Sequence, residues 1–407
     1  MTKKFYLYTI ISFIAGFAIP VSTAFQNITF LFMSLVVIFD KSLRAHIKEI
    51  SKNYFVIFSV ALYVVCLIWS FKSNASKSDV SHMLLKMRGF VLCPLIFAYF
   101  RPLNSRIWAS YGFLFGSITT LAISFAMFVF KYPMFSAVDS GWSCSIGDWA
   151  VFRYHTYHNY FLAVMVIGLL SIILYYRDVL NKKIKYSFYL LILLAAIDIL
   201  YLVQGRAGQI LFVIMLMMVF LLWSIRKGII ACIIISLMSL FVLQTSSAVK
   251  CGVGRLQSDV AHYDVGQSNS SIGERLEFHA YTLKLIKEHP ILGYGTGSFH
   301  YEYQKYTGFS GVRATRHPHN DYYWIWVELG ITGVIMLLLI LASGLYYAYK
   351  LKSVEGKFAI IILLSYAICA LQGGAFTDNI SSAAFIVIMA ILLAPGSLYQ
   401  FRFNGLN

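Results

Sequence analysis

Between Arg313 and Gly333 the chain reads RATRHPHNDYYWIWVELGITG, placing two histidines, an Asn and an Asp directly before an apolar stretch. Such groups are costly deep in a membrane, so their clustering at its edge points to chemistry there. An imidazole titrates near neutrality, which suits His319 to act as a general base towards a hydroxyl. His317 lies two positions earlier and points elsewhere on any regular backbone, so the two rings cannot serve one point equally. Asn320 and Asp321 can orient the base or a substrate, and Arg313 and Arg316 add positive potential or touch lipid at the interface. There is no nearby Cys, and no His-x-x-x-His or Glu shares a helical face, so neither a metal site nor a cofactor is expected.

Two further arginines stand apart. Arg206 sits in Gln204-Gly205-Arg206-Ala207-Gly208, between two apolar runs, where small neighbours would let a bulky group reach the guanidinium. Its five fixed donors suit a phosphate or pyrophosphate, although an arginine at a helix end can also simply snorkel. Arg275 is a second candidate anion clamp, or pairs with Glu274 or Glu277. Asp378, in Phe376-Thr377-Asp378-Asn379, can hold an imidazole or an arginine, or cap a helix.

The elements carrying these residues are membrane helices. The 407 residues are 59% hydrophobic and only 12% charged, with a mean hydropathy of +0.73. A soluble domain is about 25% charged, so this chain cannot clothe a water-exposed surface. The net charge of +16 is scattered over short connections with no aromatic-interleaved patch. That pattern argues against nucleic acid and for a basic rim facing anionic membrane lipids. Apolar runs at 5–25, 28–39, 54–71, 90–100, 107–130, 159–176, 186–203, 209–224, 229–243, 323–348, 358–376 and 380–395 predict an all-α polytopic protein with about twelve spans. The runs at 28–39 and 90–100 are short and must borrow flanking residues such as Phe25 or Leu103. The opening MTKKFYLYTIISFIAGFAIP has the order of a signal peptide but no convincing cleavage site, and is read as a retained first helix.

Basic residues at Lys41, Arg44, Lys48, Lys52, Arg177, Lys182, Lys183, Lys185, Arg226, Lys227, Lys350, Lys352 and Lys357 fall on one side, which places both termini in the cytosol. Lys72, Lys77, Lys86 and Arg88 form one external exception. The expected division is nine spans over 1–243, an external loop over 244–322, and three spans with a cytoplasmic tail over 323–407. Arg206, Arg275, His319 and Asp378 then share the external face. Cys144 and Cys251 are the cysteines of the two large external regions and are predicted to pair. In the loop, Ser271-Ile272-Gly273-Glu274 has capping-box spacing and opens a helix over 274–289. Leu276, Ala280, Leu283 and Ile286 fall roughly on one face of it, and Pro290 ends it. Gly293-Tyr294-Gly295-Thr296-Gly297 then either bends sharply or lets a ligand approach the backbone; it lacks the Lys-Ser or Lys-Thr of a nucleotide loop.

Taken together, Arg206, His319 and Asp378 resemble the bacterial O-antigen ligase family, within a group that includes O-antigen polymerases and protein O-oligosaccharyltransferases. The family pattern of His, then Asn, Ser or Gln, nine residues, Gly, two residues and Gly, Thr or Tyr is met by His319, Asn320, Gly330 and Gly333. Arg275 and the run from Pro290 to Phe299 are similar to the family's Arg and its Pro-x-x-Gly-x-Gly-x-Gly-x-Phe stretch. Arg206 matches the external arginine of a Ser-Arg-x-Gly segment, with Gly205 in place of the Ser. The likeness is specific over about 200–380; before that only helix number and hydropathy agree.

The resemblance implies an inner-membrane glycosyltransferase of lipopolysaccharide biosynthesis with a periplasmic site. The donor would be an O-polysaccharide on undecaprenyl pyrophosphate, and the acceptor a sugar hydroxyl of lipid A–core. Transfer would be inverting and metal-independent, with His319, Arg206 and Arg275 catalytic. Arg313, Arg316, His317, Asn320, Asp321 and Asp378 would bind substrate. The competing readings are a polymerase, a protein O-oligosaccharyltransferase, and, in another class, a transporter. Repeats and midplane charges are expected of a transporter, and Asp198 is the notable charge inside an apolar run.

Overall fold

The computed structural model describes residues 3–132, 148–261, 271–308 and 315–394. Among them are seventeen α-helices and one π turn, with no strand. They are α1 (Lys3–Val21), α2 (Thr23–Phe39), α3 (Lys41–Ala45), α4 (Ile47–Ile50), α5 (Tyr54–Ser70), α6 (Lys77–Tyr99) and α7 (Leu103–Phe130). Next come α8 (His155–Tyr175), α9 (Lys182–Ile197) with a π turn at Asp198–Leu202, α10 (Arg206–Trp223) and α11 (Ile225–Thr245). The last six are α12 (Ser247–Ala261), α13 (Ser271–Glu288), α14 (Phe299–Thr307), α15 (Asp321–Lys350), α16 (Val354–Ala370) and α17 (Asn379–Leu393).

Every apolar run lies largely in a helix, and the chain is an all-α polytopic membrane protein. The expected count of twelve spans is too generous by length. Eight of the described helices are long and apolar enough to cross, or nine if α2 and the α3–α4 segment, bent by 83°, form one broken span. The remainder are short: α5 and α16 have 17 residues and α17 has 15. At 1.5 Å per residue these reach about 23–26 Å, less than a typical hydrocarbon core. Boundaries also shift. The first run breaks at Ser22, whose hydroxyl caps α2, so Phe25 belongs to the second helix. The run at 90–100 borrows backwards from Lys77, and Leu103 opens α7 instead.

The most buried spans, α8 and α15, form the centre: α8 packs on α10, α9 and α16, and α15 on α5, α16 and α13. At the outer edge α11 touches little besides α10 and α12. The bundle has two chemically distinct ends. At one, the Arg101 guanidinium pairs with Glu49 at 2.5 Å, and Lys357 donates to the Tyr175 hydroxyl at 2.9 Å. At the other, the starts of α8, α10 and α15 meet the end of α16 and the face of α13. Lys72 joins this second end, donating to the Gly293 carbonyl at 2.9 Å.

The loop helix α13 forms where the capping spacing predicts, but it buries a different stripe. Glu277, Phe278, Thr282, Leu285 and Ile286 face inward, while Leu276, Ala280 and Leu283 are exposed. The cause is the docking of Phe278, whose ring packs against Tyr303 and His319 and rotates the helix about its axis. Cys251 is disulfide-bonded and the other described cysteines are free; Cys144 lies outside the described residues.

Candidate active site

The site begins with a break in α15. Gly330 has φ +67° and ψ −164°, so the helical hydrogen bonds around it cannot form. The freed groups find partners in the glycine-rich segment: Tyr294 N–H donates to the Val327 carbonyl at 2.8 Å and Gly295 N–H to that of Glu328 at 2.9 Å. In return Ile331 N–H donates to the Pro290 carbonyl at 3.1 Å. The contact leaves no room for a side chain, since a Cβ on Gly330 would lie 2.0 Å from the Ile291 carbonyl oxygen. The segment does bend sharply, with positive φ at Gly293, Gly295 and Gly297, and what approaches it closely is the protein's own backbone. Glu328, buried in α15, completes the join by accepting from Gly297 N–H at 2.8 Å and Trp324 Nε1–H at 2.6 Å. In the sequence Glu328 is marked only as an acid inside an apolar run.

This join fixes the start of α15. Asn320 is buried and caps the helix, its Oδ1 accepting from Tyr323 N–H at 3.1 Å. Asp321 is fully buried and accepts from Gly374 N–H at 2.8 Å, Phe376 N–H at 2.7 Å and the Thr377 hydroxyl. Its oxygens are therefore occupied in tying the α16–α17 connection to α15. His317 Nδ1 accepts the His319 backbone N–H at 2.7 Å, which leaves Nε2 as the protonated nitrogen. That nitrogen donates to the Thr377 hydroxyl at 3.2 Å and lies 3.5 Å from Asp321. Asn320, Asp321 and His317 thus build the support beneath His319.

His319 has φ +55°, in the left-handed region, which turns its ring out of the helix direction. The ring stacks on Phe278, with centroids 5.9 Å apart and planes 16° apart. It lines a cavity of about 250 Å³ together with Arg275, Tyr157, Ala207, Gly208 and Gly374. Burial first, then the electrostatic influence of His317, Arg275 and His279, pushes its imidazole down to about 4. The ring is therefore a neutral proton acceptor across the neutral range.

Arg206 is the first residue of α10, and its Nη1–H donates to the Gly252 carbonyl of α12 at 3.1 Å. Its small neighbours do not clear space around the guanidinium as the sequence suggested. A Cβ on Gly205 would lie 2.9 Å from His155 Cδ2, and one on Gly208 2.5 Å from Asn159 Cβ, so these glycines press α10 onto α8. Arg206 is nevertheless near enough for its charge to act on Arg275. Desolvation first and then this like charge lower the Arg275 guanidinium from its ordinary value, against the opposing pull of Glu274.

Asp378 precedes α17, and its carboxylate accepts from the hydroxyl of Tyr157, whose ring faces the cavity. Tyr157 was not singled out from the sequence, where a tyrosine among 28 gives no signal. His279, one turn after Arg275 on α13, faces the Pro318 and His319 carbonyls, and burial lowers its imidazole. Arg316 is exposed and lies at a separate cavity, apart from His319, and Arg313 lies outside the described residues. Asp198 is also apart: it is fully buried, with His158 Nε2 at 2.7 Å from its carboxylate. That pairing gives Asp198 of the π turn a partner on α8. Among the described residues, no group of three or more His, Cys, Asp or Glu is placed to hold a metal ion.

Comparison with known proteins bears on the same region. An uncharacterized protein of Haemophilus influenzae is 30% identical over 134 residues, covering 31% of this chain and 33% of that protein. The chain thus spans about a third of the length of the relative it matches. The family model described as O-antigen ligase matches residues 191–338, a stretch that includes Arg206, Arg275, the glycine-rich segment, His319 and Gly330. Across that stretch the chain is similar to the O-antigen ligase family.

Proposed function

We propose that this protein is an O-antigen ligase, moving an O-polysaccharide from undecaprenyl pyrophosphate to a sugar hydroxyl of lipid A–core. The observation that carries the reading is the meeting of Arg275 and His319 at one cavity, with Arg206 close enough for its charge to act on Arg275. Two cations close enough for their charges to act on each other suit a diphosphate, and a neutral imidazole suits the proton of an incoming hydroxyl.

In the proposed reaction the acceptor hydroxyl gives its proton to the imidazole of His319. Its oxygen attacks the anomeric carbon on the face opposite the pyrophosphate, and the bond from that carbon to the pyrophosphate oxygen breaks. The leaving group departs with the electron pair and the configuration inverts. Arg206 and Arg275 stabilise the charge that grows on the pyrophosphate oxygens. The activated linkage supplies the energy, so the step calls for no nucleotide, metal or cofactor. The site faces the periplasm from the inner membrane, with both termini in the cytoplasm; the basic residues at the opposite end of the bundle support that sidedness.

The test is transfer by the purified protein between a defined undecaprenyl-pyrophosphate polysaccharide and lipid A–core. Wild-type protein should form the conjugate, while Arg206→Ala and His319→Ala should insert in the membrane and form none. Transfer by either variant at the wild-type rate would remove its assigned role. Extension of one lipid-linked chain by another, with no product on the core, would make the protein a polymerase.

A further inference from the structure

A second cavity, of about 70 Å³, lies behind the first. Lys86 of α6 and Arg316 stand in its wall with Trp324 and Glu328 of α15. Only two rings separate it from the catalytic histidine. The His317 ring is 5.4 Å from that of His319, Trp324 is 4.3 Å from His317, and the Lys86 ammonium sits 4.7 Å above Trp324.

The two cations at this cavity have spare donors. Among the described residues neither Lys86 nor Arg316 is hydrogen-bonded to a carboxylate, and each feels the other's charge. The acids in the wall are already engaged. Glu328 accepts from Gly297 N–H, Phe299 N–H and Trp324 Nε1–H, and Asp79 accepts the Ser76 hydroxyl at the start of α6. His300 donates Nδ1–H to the Thr315 carbonyl at 3.0 Å. Glu328, Asp321 and Asp378 act on Lys86 only at longer range. What would satisfy this arrangement is a small oxoanion between Lys86 and Arg316; the space is too small for a sugar ring.

We propose that this cavity binds an acidic substituent, a phosphate or carboxylate, carried by the acceptor glycolipid, and so sets the acceptor against His319 across the His317–Trp324 wall. The acceptor's part in this rests on the glycosyl-transfer reading, whereas oxoanion binding between Lys86 and Arg316 does not.

Two measurements on the full chain test it. The first is the affinity for inorganic phosphate in neutral detergent, in an Arg275→Gln background that weakens the other cavity. Phosphate should still protect the protein against thermal unfolding, and adding Lys86→Gln and Arg316→Gln should weaken its affinity about tenfold or more. No change would overturn the site. The second is transfer by K86Q/R316Q to a phosphorylated acceptor and to the same acceptor after phosphatase treatment. The KM for the phosphorylated form should rise about tenfold with kcat near wild type, while the KM for the other form stays put. An equal rise for both, or none, would overturn the acceptor assignment. An effect confined to nanodiscs of anionic lipid would also overturn it, giving the cavity to a bilayer headgroup. Should wild-type protein transfer to no glycolipid at all, the function proposed above fails, and the phosphate measurement alone decides the site.

Discussion

The imidazole of His317 holds the backbone of His319: its Nδ1 accepts the His319 N–H at 2.7 Å while that residue sits at φ +55°. A left-handed residue with a side chain is uncommon and persists only where its surroundings enforce it. Asp321 and Thr377 in turn fix the tautomer of His317. The two histidines of the sequence motif are therefore a pair in series, one positioning the other.

Replacement of His317 should separate support from chemistry. His317→Ala leaves the His319 N–H without its acceptor, at a cost of about 1–3 kcal/mol. Transfer should fall about 10- to 100-fold, mainly in kcat, with little change in KM. In His317→Asn the amide oxygen can take the place of Nδ1, so that variant should keep a clearly larger share of activity. Equal losses in the two variants, read from steady-state kinetics, would assign the imidazole a further role.

The pH profile follows from the environment of His319. Its imidazole is pushed down to about 4 from 6.5, so the proton-accepting form persists well into mild acid. For the free protein, kcat/KM should hold down to about pH 5 and fall below that, with no inflection near 6.5. Between 6.5 and 4 the folded chain binds fewer protons at this site than the unfolded one, so this group's contribution to stability declines as pH falls through that window. Arg275→Gln removes a repelling charge from His319, raises its pKa and moves the acid limb to higher pH. A limb that stayed in place in R275Q would argue against their closeness in solution.

Gly330→Ala should damage the fold at the helix break. The added Cβ meets the Ile291 carbonyl oxygen at 2.0 Å, in a backbone conformation that L side chains rarely adopt. A loss of at least about 2 kcal/mol is expected, with release of the glycine-rich segment from α15. A thermal melt in detergent, with limited proteolysis near Gly293, would detect both. An unshifted melt would mean that the segment docks by other contacts.

Asp321→Asn tests the tie between α15 and the α16–α17 connection. The carboxylate accepts from Gly374 N–H, Phe376 N–H and the Thr377 hydroxyl, and an amide would present its NH2 to one of these donors. We expect a loss of about 2–4 kcal/mol in stability, with reduced transfer even where the protein remains inserted. Wild-type stability in this variant would show that the connection is held elsewhere.

Much of this protein is already legible along its chain. Hydropathy gives an all-α membrane protein and the placement of its apolar runs, because lipid forces backbone polar groups into helices. The types and spacing of Arg206, Arg275, His319 and Asp378 mark one end of the bundle, since charged and hydrogen-bonding groups concentrate where spans meet water. Spacing alone cannot say which of those groups face the same space. Arg275 and His319 come together only because Phe278 rotates α13 onto the start of α15, contrary to the stripe its apolar residues suggest. In the same way Gly293, Gly295 and Gly330 read as freedom to bend, and their use is settled by hydrogen bonds between segments more than thirty residues apart. Composition and periodicity act locally, through solvation and helix geometry. The direction of a side chain, the partner of a carboxylate and the protonation of His319 depend on which distant backbone closes around them, and so were decided by tertiary packing.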